Sequence, residues 1–510
     1  MFARQIMTGA LLLVLSLTAS TAEAQFTQQG SKLVGTGSTG AAVGQGYSVA
    51  VSADGNTAIV GGPNDNTNRG AAWVYVRSGD VWSQQGAKLV GTGAVGSGYQ
   101  GVSVALSGDG NTAVVGAYAD NALKGAAWVF VRSDSVWAQQ GTKLVGTSAV
   151  GAAYQGGSVA LSGDGNTALI GGYGDNSNAG AAWVYVRGGG VWSQQAKLVG
   201  TGAAGAAYQG RSVALSADGN TAVVGGFSDG GSQGAVWVFV RSGGVWSQQG
   251  NKLVGTGSVG LPHQGGSVAL SADGNTACVG GQNDNGNQGA AWVFVRSGGV
   301  WGQQGDKLVG TGSVSAAYQG GSVALSADGN TAAVGGSRDN GNQGAAWVYV
   351  RSGGTWSQSG EKLVGTGAVD QPYQGASVAL SENGSTAVVG GSNDNSAQGA
   401  VWVFTGAPKV DVPRASPTTE ASLAAVAPNP MRAGGVFRYA LARESLTSLA
   451  IYDPSGRRVR ALARGWQPAG AYMLPWDGRD AAGQMVADGV YFVRLEAAGR
   501  SLTVRFVHLL

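Results

Sequence analysis

Apolar and polar positions alternate in short runs through most of this chain, and each run is closed by Gly, Asn, Asp or Ser. Residues 101–147 show one unit of the pattern: Ser103–Leu106, Thr112–Gly116, Ala126–Arg132 and Val136–Val145 carry strand chemistry. Asp109-Gly110-Asn111, Ala119-Asp120-Asn121 and Ser133-Asp134-Ser135 separate them. A period of two with such boundaries predicts half-buried strands, and Asp-Gly between alternating runs predicts a tight hairpin. The unit reads as four antiparallel strands.

The unit recurs. Lys-Leu-Val-Gly begins at Lys32, Lys88, Lys143, Lys197, Lys252, Lys307 and Lys362, at spacings of 54 to 56 residues. Four strands in each such unit match a β-propeller blade. The ends decide between a ring and an open array. The first copy holds only the fourth strand, Phe26 to Gly37, and the last stops at Phe404 after its third. An open array needs complete, polar-capped end repeats. A ring instead pairs the N-terminal strand into the last blade and leaves no edge. The expected fold is all-β: a seven-bladed propeller over residues 25–406, closed by the N-terminal strand, then a small Ig-like β-sandwich.

Units such as residues 320–358, GGSVALSADGNTAAVGGSRDNGNQGAAWVYVRSGGTWSQ, resemble the FG-GAP repeats of integrin α-subunits and many bacterial surface proteins. Two features depart from that pattern. Phe-Gly is Gln-Gly here (Gln155-Gly156, Gln319-Gly320), and Gly-Ala-Pro is Gly-Gly (Gly171-Gly172, Gly335-Gly336), with a proline at Pro63. The resemblance implies a seven-bladed propeller and calcium in the loop between first and second strands. That loop holds one carboxylate per blade, as in Asp54, Asp109, Asp164, Asp218, Asp273 and Asp328, each before Gly. Calcium takes six to eight oxygens, so a hairpin turn is the expected role. Asp65, Asp120, Asp175, Asp229, Asp284, Asp339 and Asp394 lie in Asn-rich loops that offer more oxygens. Calcium loops and Asx-turns both fit that second set. No other cofactor or metal is expected.

Composition narrows the function. Gly supplies 92 of 510 residues without a three-residue period, which excludes collagen, and 15 Trp with 15 Tyr exclude a disordered chain. A net charge of +3 leaves no footprint for nucleic acid, and one Cys with two His leaves no zinc cluster or disulfide framework. Cys278 replaces an aliphatic strand residue and reads as a buried thiol. Trp73, Trp128, Trp183, Trp237, Trp292, Trp347 and Trp402 read as core between blades. The second set, Trp82, Trp137, Trp192, Trp246, Trp301 and Trp356, lies on a partly exposed outer strand.

Catalytic residues are not expected. Lys and Asp recur in step with the repeat, and His263 has no partner acid in register. Blade topology places the second-to-third loop and the blade-to-blade connection on one face. Tyr99, Tyr154, Tyr208, His263, Tyr318 and Tyr373 gather there with loops that vary between copies (NDNTNRG, ADNALKG, GDNSNAG, SDGGSQG). Variable loops on a rigid scaffold are where binding resides. These six residues form the expected ligand face, for an extracellular protein or glycan. The opposite face carries the Asp-Gly hairpins and the Arg-Ser-Gly-Gly turns. The other readings are a propeller lectin or polysaccharide-active enzyme, and a structural surface-layer protein.

Residues 1–24 have the charge, apolar run and Ala22-Glu23-Ala24 site of a signal peptide, and no later run is long enough to span a membrane. Residues 407–424 read as a Pro/Ser/Thr-rich linker. From Arg414 onward 12 Arg face 7 acids. Ala427-Pro428-Asn429-Pro430, Ile451-Tyr452-Asp453, Gly456-Arg457, Trp476-Asp477-Gly478 and Gly489-Val490-Tyr491-Phe492 resemble two related families. These are the Ig-like domain of flagellar hook-capping proteins and the C-terminal sorting domain of type IX secretion. The resemblance implies that residues 425–510 engage secretion machinery, and that the chain is secreted or held on the surface of a bacterium with an outer membrane.

Overall fold

A computed structural model describes residues 26–406, 421–423, 431–432, 435–441, 443, 445–467, 470–497 and 499–509. The expected signal peptide and most of the expected linker lie outside the described residues. The chain divides into two compact units, the repeat region and the C-terminal segment.

Seven four-stranded antiparallel sheets build the first unit, each with its strands in sequence order except the last. Blade 2 is typical, with strands Ser103–Leu106, Thr112–Ala117, Ala126–Ser133 and Val136–Gln139. In the last blade Ser377–Leu380, Thr386–Gly391 and Ala400–Thr405 are completed by Thr27–Gln28. Thr27 lies opposite Thr405 and Gln28 opposite Phe404, and Leu33 bridges Val401. The ring closes as its ends predicted.

Two circuits of hydrogen bonds tie the innermost strands together. Ser48 Oγ donates to the Gly101 carbonyl of the next blade at 2.8 Å, Ser103 does so to Gly156, and Ser377 returns the circuit to Gly46 at 2.8 Å. A second circuit runs through the hairpin turns. Main-chain N–H groups of Ala53, Gly108, Gly163, Ala217, Ala272, Ala327 and Glu382 each donate to the next, and Glu382 donates back to Ala53, at 2.8–3.0 Å. The first circuit pairs serine hydroxyls with main-chain carbonyls and the second pairs main-chain N–H groups with carbonyls, so neither leaves an orphan donor.

The blade interiors explain the Gln-Gly departure from the FG-GAP pattern. Gln100 is buried, and its Oε1 accepts the Gly91 N–H at 2.6 Å while its Nε2 donates to the Gly91 carbonyl at 3.1 Å. The amide acts as a stand-in peptide, which a Phe ring cannot do. Gly91 lies against the Trp128 indole, where a Cβ would overlap the ring, and Trp128 Nε1 donates to the Thr92 carbonyl at 2.7 Å. At Gly116 a Cβ would overlap the Gly156 carbonyl of the next blade, so the first residue of the pair marks a seam too close for a side chain, while the second is Ala117 in this blade. All seven Ala-x-Trp-Val tryptophans are fully buried. Cys278 is buried beside them, and desolvation pushes its thiol up to about 12.

The outer strand differs from expectation. It stops at Gln139, Gly141 turns the chain with φ of 72°, and Leu144 rejoins opposite Ala127. Blade 3 lacks that glycine, and there Val191–Leu198 runs unbroken. The single short spacing in the repeat marks this place.

The second unit is a β-sandwich. One sheet pairs Ser422–Leu423, Gly435–Leu441 and Gly470–Trp476. The other is five-stranded and holds Met431–Arg432, Arg500–Leu509, Gly489–Ala497, Ser445–Tyr452 and Arg458–Gln467. Phe437, Leu449, Ile451, Trp476, Val493, Leu495 and Phe506 fill its core. Ser422–Leu423, placed in the linker by composition, pairs with Ala440 and Tyr439 and belongs to the sandwich.

Candidate functional site

The two loop faces of the propeller use their side chains differently. On the hairpin face, Ser107 Oγ donates to Asp109 Oδ1 at 2.5 Å, and the Asn111 N–H reaches the same oxygen at 2.9 Å. Asn111 Nδ2 takes Oδ2 at 3.1 Å, and Arg132 Nε donates to Asn111 Oδ1 at 2.8 Å. Burial opposes ionisation of Asp109, but these hydrogen bonds and the Arg132 charge outweigh it and hold its carboxyl below the ordinary value. In the last blade Asn383 takes this place, accepting from Ser381 Oγ at 2.8 Å and the Ser385 N–H at 3.0 Å. A neutral amide suffices, so the position serves the turn.

The second Asp set is engaged inside the blades. Asp65, Asp120, Asp175, Asp229, Asp284, Asp339 and Asp394 are all buried. One oxygen of each pairs with a repeat lysine: Lys88, Lys143, Lys197, Lys307, Lys362 and Lys32 lie 2.5–2.7 Å from Asp65, Asp120, Asp175, Asp284, Asp339 and Asp394. Lys252 pairs with Asp229 in the same way. The other oxygen accepts a main-chain N–H, as from Val95 to Asp120 at 2.7 Å. With both oxygens engaged, these acids are struts of the blade rather than free calcium ligands. Among the described residues no group of three or more His, Cys, Asp and Glu is placed to hold a metal ion.

The loops around these acids also carry structure. Asn66, Thr67 and Asn68 take φ of 49°, 57° and 64°, three left-handed residues in succession, and every blade repeats the turn. Such residues cost roughly 1–2 kcal/mol each unless Asn or Gly relieves them, which explains the Asn and Gly content. The turn ends by presenting carbonyls to the next blade: the Tyr99 N–H donates to Asn68 and the Gln100 N–H to Arg69, both at 2.9 Å. The sequence variation here decorates a seam of fixed backbone.

Beside these seams the ring loses its symmetry. Tyr99, Tyr154, Tyr208, His263, Tyr318 and Tyr373 all stand at the entry to a first strand, half-buried, with φ between 55° and 60°. The structure brings four of them into one aromatic arc. Tyr99 stacks on Tyr118 at 5.4 Å, Tyr118 meets Tyr154 at 6.0 Å, and Tyr154 stacks on Tyr173 at 5.0 Å. Tyr173 reaches Tyr208 at 6.5 Å, Tyr208 meets Phe227 at 5.2 Å, and Phe227 meets His263 at 5.5 Å. Tyr318 and Tyr373 stand apart from the arc, with the Arg338 guanidinium over both rings at 5.1 and 5.8 Å.

Tyr118, Tyr173 and Phe227 were not among the expected site residues. Their position, two residues before the loop Asp, is Pro63, Gln282, Ser337 or Ser392 in the other blades. Aromatic residues there in three consecutive blades were the available signal. Burial raises the pKa of Tyr118 and Tyr173, and neighbouring tyrosines add to it, so both hydroxyls are protonated donors at neutral pH. Burial lowers that of His263, favouring neutral imidazole. The arc is thus a curved row of stacked and tilted rings, most of them carrying a hydroxyl on the ring edge.

Family models match both units. Residues 192–239 match the FG-GAP repeat, and residues 432–501 match the FlgD Ig-like domain. The propeller unit is similar to the one and the sandwich to the other. Hydrazine synthase of Kuenenia stuttgartiensis aligns over 74% of this chain and 99% of its own, at 15% identity and a TM-score of 0.47. The periplasmic gluconolactonase PpgL of Pseudomonas aeruginosa aligns over 62% of this chain and 85% of its own, at 18% identity and a TM-score of 0.43. No curated protein sequence matches the chain.

Proposed function

We propose that the chain is an exported binding protein without catalytic activity, whose propeller engages a glycan through the arc from Tyr99 to His263. The observation that carries the reading is the arc itself. Tyr118, Tyr173 and Phe227 break the symmetry of an otherwise uniform ring. They join Tyr99, Tyr154, Tyr208 and His263 in a row of seven stacked or tilted rings that remains half-buried on a loop face. Core packing does not require Tyr118, Tyr173 and Phe227, because four other blades carry Pro, Gln or Ser at the same slot. Purified full-length chain tested against a panel of polysaccharides and surface proteins should give saturable binding to a glycan. Absence of any saturable ligand would favour the surface-layer reading.

The C-terminal sandwich is proposed to direct the chain to the cell surface, on the strength of its match to the FlgD Ig-like domain and the signal-like N-terminus. In the native host, removal of residues 421–510 should leave the protein in the periplasm, as read by protease shaving of intact cells. Unchanged surface exposure would reduce the sandwich to a structural cap. A polysaccharide-active enzyme is the second reading, favoured by His263 beside a cleft with Arg211 and Gln282. It requires turnover that His263→Ala abolishes.

A further inference from the structure

One end of the aromatic arc opens into a cleft of about 150 Å³ whose lining includes Arg211, Phe227, His263, Gly266, Gln282 and Gly321. Each side chain in it departs from the repeat. Arg211 stands where other blades have Tyr47, Val102, Gly157, Gly266, Gly321 and Ala376, so this slot carries a cation once. Gln282 follows the aromatic series Tyr118, Tyr173 and Phe227 at the next blade. Gly266 and Gly321 in the Arg211 slot of the two following blades leave room that a larger side chain would fill.

The chemistry of this lining is specific. Arg211 is exposed, lies over Tyr173 at 5.6 Å, and pairs with no carboxylate among the described residues. A guanidinium held against a ring keeps its donor fork open for a planar or tetrahedral anion. Gln282, also exposed, adds a donor and an acceptor, while Phe227 and His263 supply ring surface. Across the face, Arg338 adds a second non-repeated cation over Tyr318 and Tyr373. By contrast, the repeat lysines are all spent on buried aspartates.

We propose that this cleft binds an anionic sugar residue of a glycan, its ring against Phe227 and His263 and its acidic group on Arg211. The inference rests on the glycan reading of the arc and narrows it to acidic polymers. A carboxylated sugar and a sulfated sugar share this chemistry, and the probes separate them.

Affinity electrophoresis of the full chain through polygalacturonate, a sulfated galactan and a neutral galactan provides the test. Retention should be stronger in at least one acidic polymer than in the neutral one, and should fall with added salt. Arg211→Gln should weaken it at least about tenfold, with Arg211→Lys intermediate and Arg464→Gln, on the C-terminal sandwich, unchanged. Thermal melts of each variant confirm folding, and Gln282→Ala probes the same cleft without altering charge. Equal retention in acidic and neutral galactan, or Arg211→Gln and Gln282→Ala both without effect, would overturn the acidic assignment while leaving the glycan reading intact. Absence of retention in all three, with no ligand on the wider panel, would end both.

Discussion

The two loop faces of the propeller are made by the same repeats and have opposite economies. On the hairpin face each Asp, Ser, Asn and Arg finds its partner inside the blade or the next one, and Asn383 shows that even the charge is dispensable. On the other face the main chain is equally well satisfied, but Tyr118, Tyr173, Phe227, Arg211 and Gln282 are additions that the seams do not use. Repetition marks what the ring needs to close. Departure from repetition marks what is left over to meet a ligand.

The largest effect should come from opening the ring. Deleting residues 26–37 removes the strand opposite Phe404, the Lys32–Asp394 pair and the Gln28 amide that accepts the Thr366 N–H at 2.7 Å. An exposed edge beside Val401–Phe404 should give aggregation and a steep drop in melting temperature. A truncated chain that melts within a few degrees of the parent would contradict closure. Within one blade, Trp128→Ala should cost about 4 kcal/mol through its cavity, while Tyr118→Ala, on the arc, should cost less than half of that in the same denaturation experiment.

Asp120→Ala strands the Lys143 ammonium beside buried main chain and should cost about 3 kcal/mol, with no response to calcium or chelator before or after. A calcium-dependent melting shift lost in this variant would restore the metal-loop reading.

The sandwich offers a contrast in the opposite direction. His508 is buried among Trp476, Tyr491 and Phe506, and neither ring nitrogen has a hydrogen-bond partner among the described residues. His508→Phe should stabilise this unit by about 1 kcal/mol, measured by its resistance to proteolysis in the full chain.

The smallest effect belongs to the hairpin acids. Asp109→Asn should change stability at neutral pH by a few tenths of a kcal/mol. The sign of its pH dependence is fixed: the folded carboxyl titrates below 3.8, so its contribution is present above that value and fades as pH falls through the lower folded value. The variant should therefore lose stability less steeply below pH 3.8 than the parent. An equal or steeper acid slope would show the carboxylate is not stabilised by its turn.

Blade count and closure were legible because strand number, turn chemistry and the split end repeat all follow from local sequence. Tyr99 and its counterparts were legible as a face because topology alone sends them there. The lysine–aspartate struts were not, since each pair joins residues such as Asp120, on the second-to-third loop, and Lys143, beyond the fourth strand, that no local motif links. Nor was the arc, because stacking of Tyr118 on Tyr99 depends on neighbouring seams rather than on any motif. The broken outer strand was missed for a simpler reason: one glycine at Gly141 outweighs a run of otherwise favourable strand residues.

The central claim is that the symmetry-breaking face, and not the repeated one, meets the ligand. Its most direct test is calorimetric titration of the full chain with whichever oligosaccharide it retains, comparing Phe227→Ala with Tyr173→Ala on the arc and Asp134→Asn on the exposed hairpin-face turn. The account predicts at least about a tenfold loss for each arc variant and an unchanged constant for Asp134→Asn, with all three variants melting close to the parent. Binding that survives both arc substitutions, or that falls with Asp134→Asn instead, would contradict it.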